Sequence, residues 1–117
     1  MIKIAVYGYG NVGKAAIEAI HAAPDFELAG VVSRSLEKGA LGEIPIVRNI
    51  DELKGVQVAV LCIPSRQVPD VAEELLLKGI STVDCYDIHN QVYDLFTRLD
   101  AAAKKGGSVA VISVGFD

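Results

Sequence analysis

The segment Gly8-Tyr9-Gly10-Asn11-Val12-Gly13 constrains this chain more than any other. It follows an apolar run, Lys3 to Tyr7, that reads as a buried strand, and it opens an amphipathic stretch, Asn11 to Ala22, that reads as a helix. Gly8 permits a tight turn between the two. Gly10 removes the Cβ nearest to anything lying over that turn, and Gly13 lets the helix lie close to the sheet. Backbone N–H groups at the helix start, aided by the helix dipole, then favour an anion. The spacing is G-x-G-x-x-G, and the strand–turn–helix setting makes it a dinucleotide-binding signature. An ordinary glycine-rich strand-to-helix turn is the plainer alternative.

The remainder of the chain alternates short apolar runs with amphipathic stretches. That pattern predicts an α/β fold of the Rossmann type, a doubly wound and mainly parallel sheet with helices on both faces. Val12, Ala16, Ala19 and Ile20 form the expected inner face of the first helix, which Pro24 ends. Further strands are expected at Glu27 to Val32, Ile44 to Val47, Val56 to Ile63, Ser81 to Cys85 and Ser108 to Ser113. A short helical turn is expected at Ile50 to Lys54. Pro64 and Pro69 bracket a loop before a helix over Val71 to Lys78, with Gly79 as its C-terminal cap, and a longer helix covers Gln91 to Lys105.

Composition narrows the functions. The chain has 117 residues, the size of one domain, and 51% of them are hydrophobic, which suits a packed core. Its net charge of −4 gives no reason to expect a nucleic-acid or anionic-membrane partner. Cys62 and Cys85 sit in apolar runs, as reduced core residues of a cytoplasmic protein do. With His21 and His89 they lack metal-ligand spacing, so no metal is expected.

Strand ends carry function in such folds. The second strand ends Val32-Ser33-Arg34-Ser35, without the acid that receives the ribose hydroxyls of NAD. Two hydroxyls and a guanidinium suit the 2′-phosphate of NADP, with Lys38 as a possible helper. Arg34 as a plain solvated loop residue is the alternative. After the central strand, Cys62, Pro64 and Ser65 stand where a loop could pass a nicotinamide ribose, or where a proline merely stiffens a turn. The next strand ends Asp84-Cys85-Tyr86-Asp87-Ile88-His89-Asn90. Asp87 and His89 could do acid–base or ammonium-binding work, or Asp87 could simply cap the following helix. At the last strand end, Ser113 and Gly115 allow close backbone approach, and Asp117 faces the expected cleft.

Together, Gly8 to Gly13, Val32-Ser33-Arg34, Val83 to His89 and Ser113-Val114-Gly115-Phe116-Asp117 resemble the meso-diaminopimelate dehydrogenase family. The likeness runs along the whole chain but covers only that family's N-terminal dinucleotide domain. It implies a substrate and dimerisation domain beyond Asp117, a homodimer when intact, and reversible NADP-dependent oxidative deamination of a small amino acid, meso-diaminopimelate. It also implies that Tyr9 to Val12 bind the pyrophosphate and that Ser33 and Arg34 bind the 2′-phosphate. Cys62 to Ser65 would line the nicotinamide side, Asp87 and Asp117 would meet the reacting amino group, and His89 would lie beside the cofactor. Ser35 stands where the family often has a second arginine, which implies a weaker preference for NADP. Other readings are the cofactor domain of a different two-domain NAD(P)-dependent dehydrogenase, or a nucleotide-sensing module without catalysis.

Overall fold

Strand β1, Ile2–Tyr7, carries an unbroken buried run of Ile4, Ala5 and Val6, the pattern of a strand covered on both sides. The computed structural model describes residues 1–112, so the expectations for Ser113, Gly115 and Asp117 lie outside the described residues. The chain divides into two compact units, Met1–Cys62 and Ile63–Asp117.

In the first unit, α1 (Asn11–Ala22), β2 (Phe26–Val32), β3 (Ile46–Val47) and β4 (Val58–Leu61) follow β1. The strand order is β3-β2-β1-β4, and each pairing is parallel. An extra residue, Ala29, enters β2 where the register shifts between Ile4 and Ala5. Ile4, Val6, Ile17, Ile20 and Val31 form one buried cluster, each side chain adding about 1.5–3 kcal/mol on burial.

The span of α1 is as expected, but its inner face is turned. Gly13, Ile17 and Ile20 are buried and Ala16 is half-buried, whereas Val12 and Ala19 are exposed. Gly13 causes the difference. A Cβ there would stand 2.6 Å from the carbonyl oxygen of Gly8, so this residue is the helix's point of closest approach. Positions one and two turns further on then face inward with it. The central strand is shorter than its apolar run, since Gly55 turns the backbone with a φ of +75° shortly before β4 begins.

The second unit holds α2 (Val68–Leu77), β5 (Ser81–Asp84), α3 (Val92–Gly106) and β6 (Ala110–Val111), with β5 and β6 paired in parallel. Helix α2 begins earlier than its prolines suggested. Pro69 sits in its first turn, where no intrahelical acceptor exists for the N–H that proline lacks. The turn Ser65–Gln67 is 3₁₀-helical rather than an open loop. Gly79, with a φ of +85°, closes the helix as expected. Its N–H donates to Leu76 O at 3.0 Å and that of Ile80 to Leu75 O at 3.0 Å, the paired bonds of a Schellman cap.

Helices α2 and α3 pack against one another, and Val68, Ala72, Leu75, Leu76, Leu95, Leu99, Ala102 and Ala103 are buried. Their C-terminal ends come so close that a Cβ on Gly106 would overlap the carbonyl oxygen of Leu76, which also accepts a hydrogen bond from Ser108 Oγ at 2.8 Å. On the outside, Arg98 of α3 forks between Glu73 and Asp70 of α2 at 2.9 and 2.8 Å. Among the described residues no helix is long and apolar enough to cross a membrane.

Candidate functional site

The parallel register pairs Tyr7 with Val32 and with Leu61, so β1, β2 and β4 end level with one another. Ligands of open parallel sheets lie beyond such ends. There the chain turns sharply at Gly8, whose φ of +86° is costly for a residue with a Cβ. The N–H of Gly8 donates to Val32 O at 3.0 Å, and that of Cys62 donates to Tyr7 O at 2.9 Å. The glycine turn, the end of β2 and Cys62 are thereby brought together.

Three glycines of the turn do different work. Gly8 makes the bend and Gly13 makes the close approach, with Cys62 Cβ 3.9 Å from where its own Cβ would be. Gly10 does neither. It caps α1 with a φ of −88°, which any residue can adopt, and a Cβ there would meet nothing within 4 Å. Nothing inside the protein needs glycine at that point, so the open space above it is a cradle that a side chain would fill. The first turn of α1 carries no acid and its N-cap has no side-chain hydrogen bond, leaving N–H groups and a positive dipole end for an anion. Tyr9 is half-buried against the core cluster, with the Lys14 ammonium 5.3 Å from its ring centre. Asn11 and Val12 are exposed on the same turn.

The end of β2 is built as a small clamp. Ser33 N–H donates to Val47 O at 2.9 Å, and Ser33 Oγ accepts the N–H groups of Leu36 at 3.1 Å and Ser35 at 3.3 Å. Its hydroxyl proton is left to donate outward. Arg34 and Ser35 are exposed, and Arg34 makes no side-chain bond among the described residues. Arg48 reaches over from beyond β3, its Nη1 donating to Ser33 O at 2.6 Å and Leu36 O at 2.5 Å. Sequence reasoning missed Arg48. It belongs to no motif, although Asn49-x-x-Glu52 beside it is a readable capping box. The N–H groups of Asn49 and Arg48 hold the Glu52 carboxyl below its ordinary value, with help from the nearby charges of Lys38 and Arg48.

In the second unit, Ser65 and Asp87 meet across 22 positions of sequence. Ser65 Oγ donates to Asp87 Oδ1 at 2.6 Å and accepts the Asp87 N–H at 3.0 Å. Asp87 does not cap α3, whose N-cap is Gln91 with no side-chain capping bond. Pro64, exposed, is the N-cap of the 3₁₀ turn that carries Ser65. Buried Asp84 accepts the Tyr86 N–H at 3.0 Å, and the Tyr86 hydroxyl lies 3.2 Å from Gln91 Oε1. His89 begins the 3₁₀ turn His89–Gln91.

Parallel strands ending level, a glycine turn and an uncapped helix start define a dinucleotide-binding domain. Residues 2–113 match the oxidoreductase family with an NAD-binding Rossmann fold, GFO/IDH/MocA, and the chain belongs to that family. It is 47% identical over 119 residues to the meso-diaminopimelate D-dehydrogenase of Bacteroides fragilis, covering 99% of this chain and 40% of that protein. The C. glutamicum DAP dehydrogenase in complex with DAP superposes with a TM-score of 0.85 at 30% identity, over 99% of this chain and 37% of its own. An engineered D-amino acid dehydrogenase bound to NADP+ gives 0.81 at 30% identity, again over 99% and 37%. The expected Rossmann-type fold is thus confirmed, and the chain spans about two fifths of the length of the relatives it matches.

Proposed function

We propose that the chain binds NADP(H) as the cofactor domain of a meso-diaminopimelate D-dehydrogenase, a cytoplasmic enzyme that works as a homodimer. The observation that carries the reading is Gly10, a glycine the fold does not require, set at the helix start below open space. The pyrophosphate would lie there, across the N–H groups of Asn11, Val12 and Gly13. Arg34, exposed and without a side-chain partner among the described residues, would meet the 2′-phosphate together with the Ser33 hydroxyl and Ser35. The B. fragilis relative supports the substrate and the NADP+-bound neighbour supports the cofactor.

In the reaction, bound nicotinamide supplies a two-electron hydride acceptor or donor. The chain's own groups hold the reactants. Cys62, Pro64 and Ser65 would line the nicotinamide side, with His89, Ser113 and Gly115 beside the cofactor. Asp87 and Asp117 would hold the substrate ammonium and stabilise the iminium-like charge that develops at the reacting carbon. Ser65 keeps one Asp87 oxygen occupied, which would leave the other to accept from a ligand. Recognition of the rest of the substrate and dimerisation would fall to the remaining length of such an enzyme.

Calorimetric titration with NADPH and NADH at matched ionic strength tests the reading. Binding of NADPH at least about tenfold tighter, lost on Arg34→Ala, is expected. Equal or NADH-favoured binding overturns the Ser33–Arg34 assignment, and binding of neither overturns the dinucleotide reading.

A further inference from the structure

The loop that presents Arg34 is held by a residue outside every motif. Arg48 Nη1 donates to both ends of it, Ser33 O at 2.6 Å and Leu36 O at 2.5 Å. Arg48 is itself fixed at its root. Its backbone N–H donates to Glu52 Oε2 at 3.0 Å, and Glu52 closes the capping box with Asn49. On the other side, β3 takes the Ser33 N–H through Val47 O, and the Ser33 hydroxyl gathers the N–H groups of Ser35 and Leu36. The backbone of residues 33 to 36 is therefore fastened from β3, from within, and from Arg48.

Carbonyl oxygens satisfy guanidinium donors without neutralising the charge, and arginine stays protonated. Arg48 is exposed, and Nε and Nη2 make no bond among the described residues. A full positive charge with spare donors thus stands against the loop, held at the Ser33 and Leu36 carbonyls. A phosphate dianion gains from such a charge, whereas a neutral ribose hydroxyl gains little.

The geometry points to Arg48 as a positioning residue that determines cofactor specificity, and this rests on the NADP reading above. It holds the Ser33–Leu36 backbone in the shape that turns Arg34 outward, and its charge adds to the field at the 2′-phosphate.

The test titrates the wild type, Arg48→Met, Arg48→Lys and Arg34→Ala with NADPH and with NADH, and records the thermal midpoint of each. Arg48→Met is expected to lower the NADPH-to-NADH affinity ratio by about tenfold, with the midpoint within a few degrees of wild type. Arg48→Lys returns the charge but not the fork, so it recovers part of the ratio. A purely structural brace would weaken both cofactors together and leave the ratio unmoved, and that result overturns the proposal. An intact ratio in Arg48→Met beside a collapsed one in Arg34→Ala removes Arg48 alone. Should Arg48→Met fail to fold, a wild-type ratio in Arg48→Lys overturns it equally. No NADPH preference in the wild type, unchanged in Arg34→Ala, removes the NADP reading and this inference with it.

Discussion

Ser65 Oγ stands between the N–H and the carboxylate of Asp87, accepting from one at 3.0 Å and donating to the other at 2.6 Å. One hydroxyl thereby sets both the backbone and the side chain of an exposed acid. On the proposed dehydrogenase reading, Asp87→Ala is expected to slow deamination by a catalytically complete protein by about a hundredfold or more while leaving NADPH affinity near wild type. Steady-state rates and calorimetry on the same preparation check this. Ser65→Ala should cost only about 0.5 kcal/mol in a urea melt, the low end for a solvent-accessible hydrogen bond.

Gly10→Ala and Gly13→Ala should separate binding from folding. The first places a methyl group in open space at a permitted φ, so stability should hold while NADPH binding weakens by about tenfold or more. The second forces a methyl group to within 2.6 Å of Gly8 O and should cost about 1–3 kcal/mol. Paired denaturation and binding measurements decide it, and a destabilised Gly10→Ala would count against the cradle.

Gly106→Ala should be among the most damaging small substitutions in the second unit. Its methyl group would overlap the Leu76 carbonyl, where α2 and α3 converge. A loss of about 1–3 kcal/mol or more is expected from urea unfolding.

Acid should loosen the α2–α3 pair in a defined window. The Arg98 hydrogen bond holds Glu73 below its ordinary pKa of 4.5. A carboxylate depressed on folding adds stability above its unfolded value and loses it as pH falls through the folded one. Arg98 itself is raised and stays charged throughout. Stability should therefore fall below about pH 4.5, and Arg98→Met should flatten that acid limb. Thermal midpoints between about pH 3 and 6 measure it.

Much of this was readable from residues whose chemistry is local. The glycine turn, the span of α1 and the Gly79 cap each depend on near neighbours, and all three lie where expected. The rotation of α1 was not readable, because it is set by the Gly13–Gly8 approach and not by hydrophobic periodicity. Pro69 misled for a related reason, since a proline that stops a helix and one that starts it look alike in one dimension. At the candidate site, Arg34 stands in a segment that the sequence itself singles out, Val32 to Ser35. Arg48 lies 15 positions from Ser33 and is joined to it only by the folded path of β3, so no spacing rule reaches it.

The fold makes no use of the missing side chain at Gly10. A position that the fold leaves free is held, if at all, by something outside the polypeptide. A survey of every substitution at residues 8 to 13, scored once for abundance and once for dinucleotide capture, would give two different profiles. They should coincide at Gly8 and Gly13 and part at Gly10, and the gap between them would trace the outline of the ligand in the language of tolerance.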